Sequence, residues 1–449
     1  MKKSILLSLA VFLAGTALSA QNFQGAHFLD GFHYSYRLNP AVTPDADIRT
    51  GILNTLSVET RSNIGVGNFI FPVDGHLTTG LNRHVSASDF LENLPMDSEV
   101  IGTVDVGLFA RGFRKGGNYH TIELNVRSND LAVIPYDLLA FLKLGASERA
   151  STYDLSPLHI SSGNYLELAY GLSRSAGNLR YGFRIKPLVG ISHLDARLKR
   201  FSIDMTEPEF WRISSQAEIE IAGNQFTSRT RGEKEQEMLD PGGIGFKLFR
   251  PGFAGLGVAT DLGVQWQASQ YLSLGLSVLD LGMLKWFDKV YARTPEVTYQ
   301  YDPSTITSMK PSADRENSGS VADIARFYVR DKKNSLSRLP MTVNATARMK
   351  MPFYDKLSVA ASGTLRNGPD YTVMEGRLYT VWSPWDWFSA NVSCGRDRFG
   401  WSGGMAANFT TKEFTFFIGT DSYIFRVTPQ LIPAGKANLS LTFGVSHAL

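Results

Sequence analysis

Two Asp-Leu-Gly triplets stand in neighbouring stretches, Asp261 to Gly263 in "GLGVATDLGVQW" and Asp280 to Gly282 in "LGLSVLDLGMLKW". Paired carboxylates offer two chemistries. They can hold a cation or a cationic substrate. Alternatively, each can pair with a neighbouring Arg or cap a bulge, with Gly263 and Gly282 allowing the bend. The structural reading is the one taken. A second group, Arg111, Glu123, Arg127, Glu167, Arg184, Lys186, Arg348 and Lys350, falls on the polar faces of alternating segments. Around a lumen these side chains would either set channel selectivity or crosslink into a charged interior that holds a plug, and the second reading is preferred. Ser446 and His447 suggest a hydrolase pair, but adjacent strand residues point to opposite faces and cannot meet directly. No HExxH, CxxC or P-loop pattern is present. No catalytic, metal-binding or cofactor-binding residue is assigned, and an enzyme is not expected.

The elements that would position these groups are strands. In "KANLSLTFGVSHAL", Leu439, Leu441, Phe443, Val445, His447 and Leu449 alternate with Asn438, Ser440, Thr442, Gly444, Ser446 and Ala448. The same two-residue period recurs in "YLSLGLSV", "TVNATARMKM", "TIELNVR", "YLELAYGLS" and "WSGGMAANF". Such faces suit a soluble sandwich or a membrane barrel. The connections separate the two. "ASQ", "MPFYD", "SPWD" and "TTKE" are short and all fall at one end, while 223–254, 286–340 and 425–436 are long and fall at the other. Membrane barrels show this asymmetry, with short inner turns and long outer loops. "RKGGN", "SAGN" and "RNGPD" read as hairpin turns. Tyr379, Trp382, Trp385, Trp387 and Phe388 surround one inner turn, as an interfacial aromatic girdle would.

About sixteen strand signals follow Leu56, those near 56–72 and 77–86 being weakest; an even number is expected, with fourteen preferred over sixteen. Two segments read as helices. One is "IPYDLLAFLKLG" (134–145), placed by the same count at the inner end. The other is "SVADIARFYVR" (320–330), with Ser320 and Asp323 at capping-box spacing.

The chain opens "MKKSILLSLAVFLAGTALSAQ", a charged start, an apolar run and small residues, which predicts a secretory signal over 1–20. The expected organisation is that signal, an N-terminal plug or hatch over 21–54, and a barrel over 55–449. Without Lys2 and Lys3 the balance is 43 basic to 42 acidic residues, so nucleic acid is not implied as a partner. Cys394 is the only cysteine, which excludes an intrachain disulfide. With 41 Gly, 28 Phe, 17 Tyr and 7 Trp, the composition suits strands and tight turns.

The paired Asp-Leu-Gly strands, "SYRLNPAVTPD", "SRLPMTVNATA" and the closing strand together resemble an uncharacterised family of Bacteroidota outer-membrane β-barrels, domain of unknown function 5723. The resemblance spans nearly the whole mature chain. "NPA" at Asn39, Pro40 and Ala41 is also similar to FadL-type transporters and PorV-type secretion barrels. That implies an all-β, transmembrane antiparallel barrel of 14 strands with an N-terminal segment folded into the lumen. It further implies an outer-membrane location, lipid contact and insertion by the outer-membrane assembly machinery. Three functional classes stay open, in this order: transport of a hydrophobic or small solute; a non-transporting scaffold or type IX secretion accessory binding a surface or secretion protein through long outer loops; and a membrane enzyme, which has no motif behind it.

Overall fold

The computed structural model describes residues 24–51, 53–145, 152–207, 211–223, 237–239, 252–301, 326–422, 436 and 438–448. The signal expected over 1–20 lies outside them, as do most of 223–254 and 425–436 and the first six residues of the helix expected at 320–330. Fourteen antiparallel strands close into a barrel. They are β1 (Ile48–Arg49 and Thr55–Ser62), β2 (Asp97–Lys115), β3 (Asn118–Pro135), β4 (His159–Ala176) and β5 (Leu179–Asp204). Next come β6 (Trp211–Ala222 and Gly255–Gln267), β7 (Leu272–Arg293), β8 (Phe327–Arg338 and Met341–Met351) and β9 (Tyr354–Asn367). β10 (Thr372–Trp385), β11 (Phe388–Asp397), β12 (Gly400–Thr410), β13 (Phe414–Thr420) and β14 (Leu439–Ala448) complete the set. The barrel closes where β14 pairs with β1, Phe443 opposite Leu56 and Leu441 opposite Val58.

The two-residue period sorts side chains as lipid and lumen require. Leu441, Phe443 and Val445 are exposed, while Ser440, Thr442 and Ser446 are buried inside. Leu256, Val258, Leu262, Val264 and Trp266 carry the exposed apolar band across β6. Closure pairs the backbone groups between strands, which lipid demands. The β2–β3 turn places Gly116 and Gly117 at left-handed φ values of 60° and 76°, the conformation that a tight two-residue hairpin needs and that glycine adopts without strain.

Three sequence expectations change. The two surplus strand signals are not additional barrel strands. One, 77–86, belongs partly to a separate small hairpin of Ile70–Val73 and His76–Thr79. The other is half of β6: Trp211–Ala222 and Gly255–Gln267 both run antiparallel to β5 and continue one strand position, so 223–254 interrupts a strand rather than joining two. That removes one reversal from the count. The helix α3 (Tyr136–Leu144) therefore sits at the long-connection end and not at the inner end. Thirdly, the connection read as 286–340 is shorter. β7 runs on to Arg293 and β8 begins at Phe327, so residues 327–330 are strand and not helix.

A cap covers the outer end. Helix α2 (Ala87–Leu91) and α3 pack Phe90, Leu91, Leu139 and Ala140 against Ile64, Val100, Ile134 and Ile203. Ser86 caps α2 by accepting the Asp89 N–H. Lys143 Nζ donates to the carbonyls of Gly80, Asn82 and Val85 at 2.7, 2.8 and 2.6 Å, tying α3 to the 63–96 connection. Lys143→Met leaves three carbonyls without this donor. It is expected to speed amide exchange in 80–91 by about tenfold or more while leaving β9–β12 unchanged, a local loss of about 1–3 kcal/mol; unchanged exchange in the cap would contradict the tie.

Candidate functional site

Residues 24–47 occupy the lumen. Helix α1 (Gln24–His27) donates the Gly25 N–H to Asp421 Oδ1 at 2.9 Å. The chain then descends to Asp30, which bonds Ser389, Ser383 and Arg348. One face is aromatic: Phe28 lies against Tyr379 with centroids 4.7 Å apart, and Phe32 meets Phe417 edge-on at 4.8 Å. Beyond the 3₁₀ turn Ser35–Arg37 comes the Asn-Pro-Ala stretch. Asn39 Nδ2 donates to the Val264 carbonyl at 3.0 Å and Asn39 Oδ1 accepts the Ala41 N–H, while Ser277 Oγ donates to the Leu38 carbonyl.

This stretch needs glycine beneath it. Gly182 and Gly263 are paired across β5 and β6. A Cβ on Gly182 would lie 2.1 Å from the Pro40 carbonyl oxygen, and one on Gly263 would lie 2.1 Å from Asn39 Oδ1 and 2.8 Å from Pro40 Cδ. Gly263 therefore opens a seat for Asn39 and Pro40, rather than bending its own strand. Gly282 is close to β6, its missing Cβ falling 2.4 Å from the Val258 carbonyl.

The opposite side is ionic. Seven successive structural elements contribute charges: Arg37 from the segment, Asp105 of β2, Glu123 and Arg127 of β3, Glu167 of β4, Arg184 and Lys186 of β5, Asp261 of β6 and Asp280 of β7, all buried. Arg37 donates to Glu123 at 2.7 Å and Asp105 at 3.2 Å. Arg184 also pairs with Glu123, and with Asp261 at 3.3 Å. Arg127 forks onto both oxygens of Asp280 at 2.9 and 2.8 Å and reaches Glu167. Lys186 lies 2.6 Å from Asp261 and 2.7 Å from Asp280. Asp280 occupies a β7 bulge at φ 59°, and its N–H donates to Asp261 Oδ1 at 2.8 Å, so Asp261 caps the irregularity. The cavity among these groups is about 30 Å³, room for a water or two.

A second charged group, outward of the segment, escaped the sequence reading. Arg61 of β1 reaches across the lumen to Glu375 of β10 and Asp397 of β11, both at 2.9 Å, and also holds Glu59 at 2.5 Å. Arg366 approaches Glu59 at 3.4 Å and Arg377 binds Glu375 at 2.6 Å. Its signal was available: Glu59-x-Arg61 and Glu375-x-Arg377 each place opposite charges two apart, on one strand face.

The remaining sequence candidates separate. Arg348 sits in the lumen 3.0 Å from Asp30. Lys350 is exposed at the end of β8. Arg111, read as lumenal, faces outward instead: an extra residue between Gly107 and Phe109 shifts the β2 register against β3, so Ala110 turns inward and Arg111 outward. Ser446 and His447 do point apart, and Ser446 Oγ meets His33 Nδ1 at 2.8 Å. Ser446 is 1% exposed, and among the described residues no carboxylate bonds this imidazole, so the pair anchors the segment.

Burial lowers His33 to about 4, against a smaller opposing effect of Asp45, and burial also lowers His27 to about 4 with Arg348 nearby. A released histidine titrates near 6.5. Between pH 6.5 and 4 the released segment therefore binds more protons than the seated one. Seating is undiminished above pH 6.5 and weakens as pH falls, by up to about 3 kcal/mol per histidine near pH 4. Amide exchange over 24–47, corrected for its intrinsic pH dependence, should be faster at pH 4.5 than at pH 7, less so in His33→Gln; a flat corrected profile would contradict it.

A comparison with curated proteins returns no match. Among solved structures, the chain is similar to the Ralstonia pickettii toluene transporter TbuX, with 8% identity and a TM-score of 0.43 over 94% of this chain and 98% of that one. It is similar to the Pseudomonas putida toluene transporter TodX, with 8% identity and a TM-score of 0.40 over 97% and 95%. A Pseudomonas aeruginosa FadL homologue gives 11% identity and a TM-score of 0.40 over 94% and 95%. The model of a family of unknown function, DUF5723, matches residues 40–421, and the chain belongs to that family.

Proposed function

We propose that this protein is an outer-membrane channel for a hydrophobic or small solute, closed at rest by its own N-terminal segment. On this reading residues 1–20 are a removed signal, 21–54 form the hatch and 55–449 the barrel. The observation that carries it is the aromatic contact between segment and wall. Phe28 packs on Tyr379, and Phe32 and Tyr34 pack on Phe417, and withdrawal of the segment would leave an apolar strip along the lumen. The wall opposite is charged, so the strip offers a solute one greasy side and one polar side. The test is uptake of a radiolabelled long-chain fatty acid by intact Gram-negative cells lacking their own fatty-acid channel. Expression of this chain should raise the initial rate several-fold over an empty vector; equal rates would contradict transport.

A second reading is a non-transporting scaffold or secretion accessory. It draws on the Arg61 bridge to Glu375 and Asp397, which crosses the lumen beyond the segment, and on the cap with its own apolar core. Under that reading uptake stays at the vector level while a protein partner copurifies through the outer end.

A further inference from the structure

We infer that the lipid-facing surface around Arg49 and Arg111 binds the phosphate of one anionic phospholipid in the inner leaflet. Arg49 is paired across β1 with His447 of β14 on one side and with Arg111 of β2 on the other. Arg49 and Arg111 are exposed, and the inward residues beside them, Ile48 and Ala110, are both 0% exposed. Two guanidiniums and an imidazole thus form one row on the outer face.

Like charges directly opposite one another on a sheet repel, and arginine on a lipid face is costly unless something satisfies it. Among the described residues neither guanidinium forms an ion pair. The nearby Asp47 is engaged elsewhere, accepting the Arg114 N–H at 2.9 Å. Arg111 lies over Phe113 at 5.5 Å. The row has Phe414 at its edge, opposite His447, near the short-turn end where Trp385 and Trp387 stack 5.2 Å apart. That is headgroup depth on the inner side of a membrane barrel. Just above, Leu53 is 66% exposed and Phe109 37% exposed, apolar surface placed to take acyl chains. Two adjacent guanidinium forks match the oxygens of a phosphate, and basic surface at headgroup level favours a lipid whose phosphate charge is not offset by a headgroup cation.

The experiment is native mass spectrometry of the full-length, delipidated protein in mild detergent. Phosphatidylglycerol, phosphatidylcholine or inorganic phosphate is titrated in. One phosphatidylglycerol should bind at a concentration at least about tenfold below that needed for phosphatidylcholine. Arg49→Gln/Arg111→Gln should abolish that preference, and Arg49→Lys/Arg111→Lys should retain part of it. Heat-modifiable gel mobility confirms that each variant is a folded barrel. Equal binding of the two lipids, or an unchanged preference in the glutamine variant, would overturn the assignment. Displacement of phosphatidylglycerol by millimolar phosphate would also overturn it, by reassigning the row to a soluble anion. None of these readouts depends on whether the barrel transports a solute.

Discussion

Gly263→Val is expected to unseat the N-terminal segment while the barrel still forms. The new Cβ alone would lie 2.1 Å from Asn39 Oδ1, 2.8 Å from Pro40 Cδ and 3.0 Å from the Pro40 nitrogen. Two of these are parts of a rigid ring and backbone that cannot rotate away. Overpacking of this kind costs about 1–3 kcal/mol, and here the cost falls only on the seated state. Release relieves it, so the ratio of closed to open segment should drop about 10- to 100-fold. The measurement is the labelling rate of Ser35→Cys, in a Cys394→Ser background, by a water-soluble maleimide. Ser35 is 6% exposed when seated, so labelling should be slow in the parent and accelerate by that factor in Gly263→Val. Gly363→Val is the control, because nothing lies within 4 Å of its missing Cβ. Labelling unchanged by Gly263→Val would show that Asn39 and Pro40 do not hold the segment.

Arg127→Met has the largest expected effect on the barrel itself. Arg127 is 3% exposed and lies among Asp105, Glu167 and Asp280. Four basic and five acidic side chains make up the cluster, and removing one cation leaves three against five, in a space with room for a water or two. Breaking a buried ionic group by removing one partner costs about 3–5 kcal/mol, since the stranded carboxylates keep their desolvation penalty. The unfolding midpoint in urea, with lipid vesicles present, should fall accordingly. Arg127→Lys should fall between, retaining charge but losing the two-pronged contact with Asp280. In the double variant Arg127→Met/Asp280→Asn the losses should be less than additive, because the second change removes a carboxylate that the first had stranded. A loss below about 1 kcal/mol for Arg127→Met would mean that water screens the cluster.

Most of the barrel was legible because lipid on one side and polar lumen on the other impose a two-residue period on each strand. "SLTFGVS" needs no other information to declare its faces. What was not legible shares one cause, irregularity within a strand. The excursion at 223–254 looks like a loop between strands, since nothing local says that Gly255 resumes the line left at Ala222. One false reversal then moved α3 to the wrong end. The extra residue at Leu108 is equally silent, and it turned Arg111 from lumen to lipid. The site shows a similar split. "NPA" marked itself as a unit, but its seat comes from Gly182 and Gly263, which only strand pairing brings together. The charged pairs Arg127–Asp280 and Arg61–Glu375 likewise join distant positions, although their locations on polar faces could be read from each strand alone.

If the segment is a gate, one pair of substitutions shows it directly. In the Cys394→Ser background, Gly25→Cys/Asp421→Cys would place two thiols where Gly25 N–H now meets Asp421 Oδ1 at 2.9 Å. Fatty-acid uptake by cells carrying this variant is measured oxidised and then reduced. Oxidation is expected to stop uptake, and a reductant to restore it to the Cys394→Ser level. Uptake that proceeds equally in the locked and reduced forms would rule out a gating segment, because solute would then be crossing with the segment held in place.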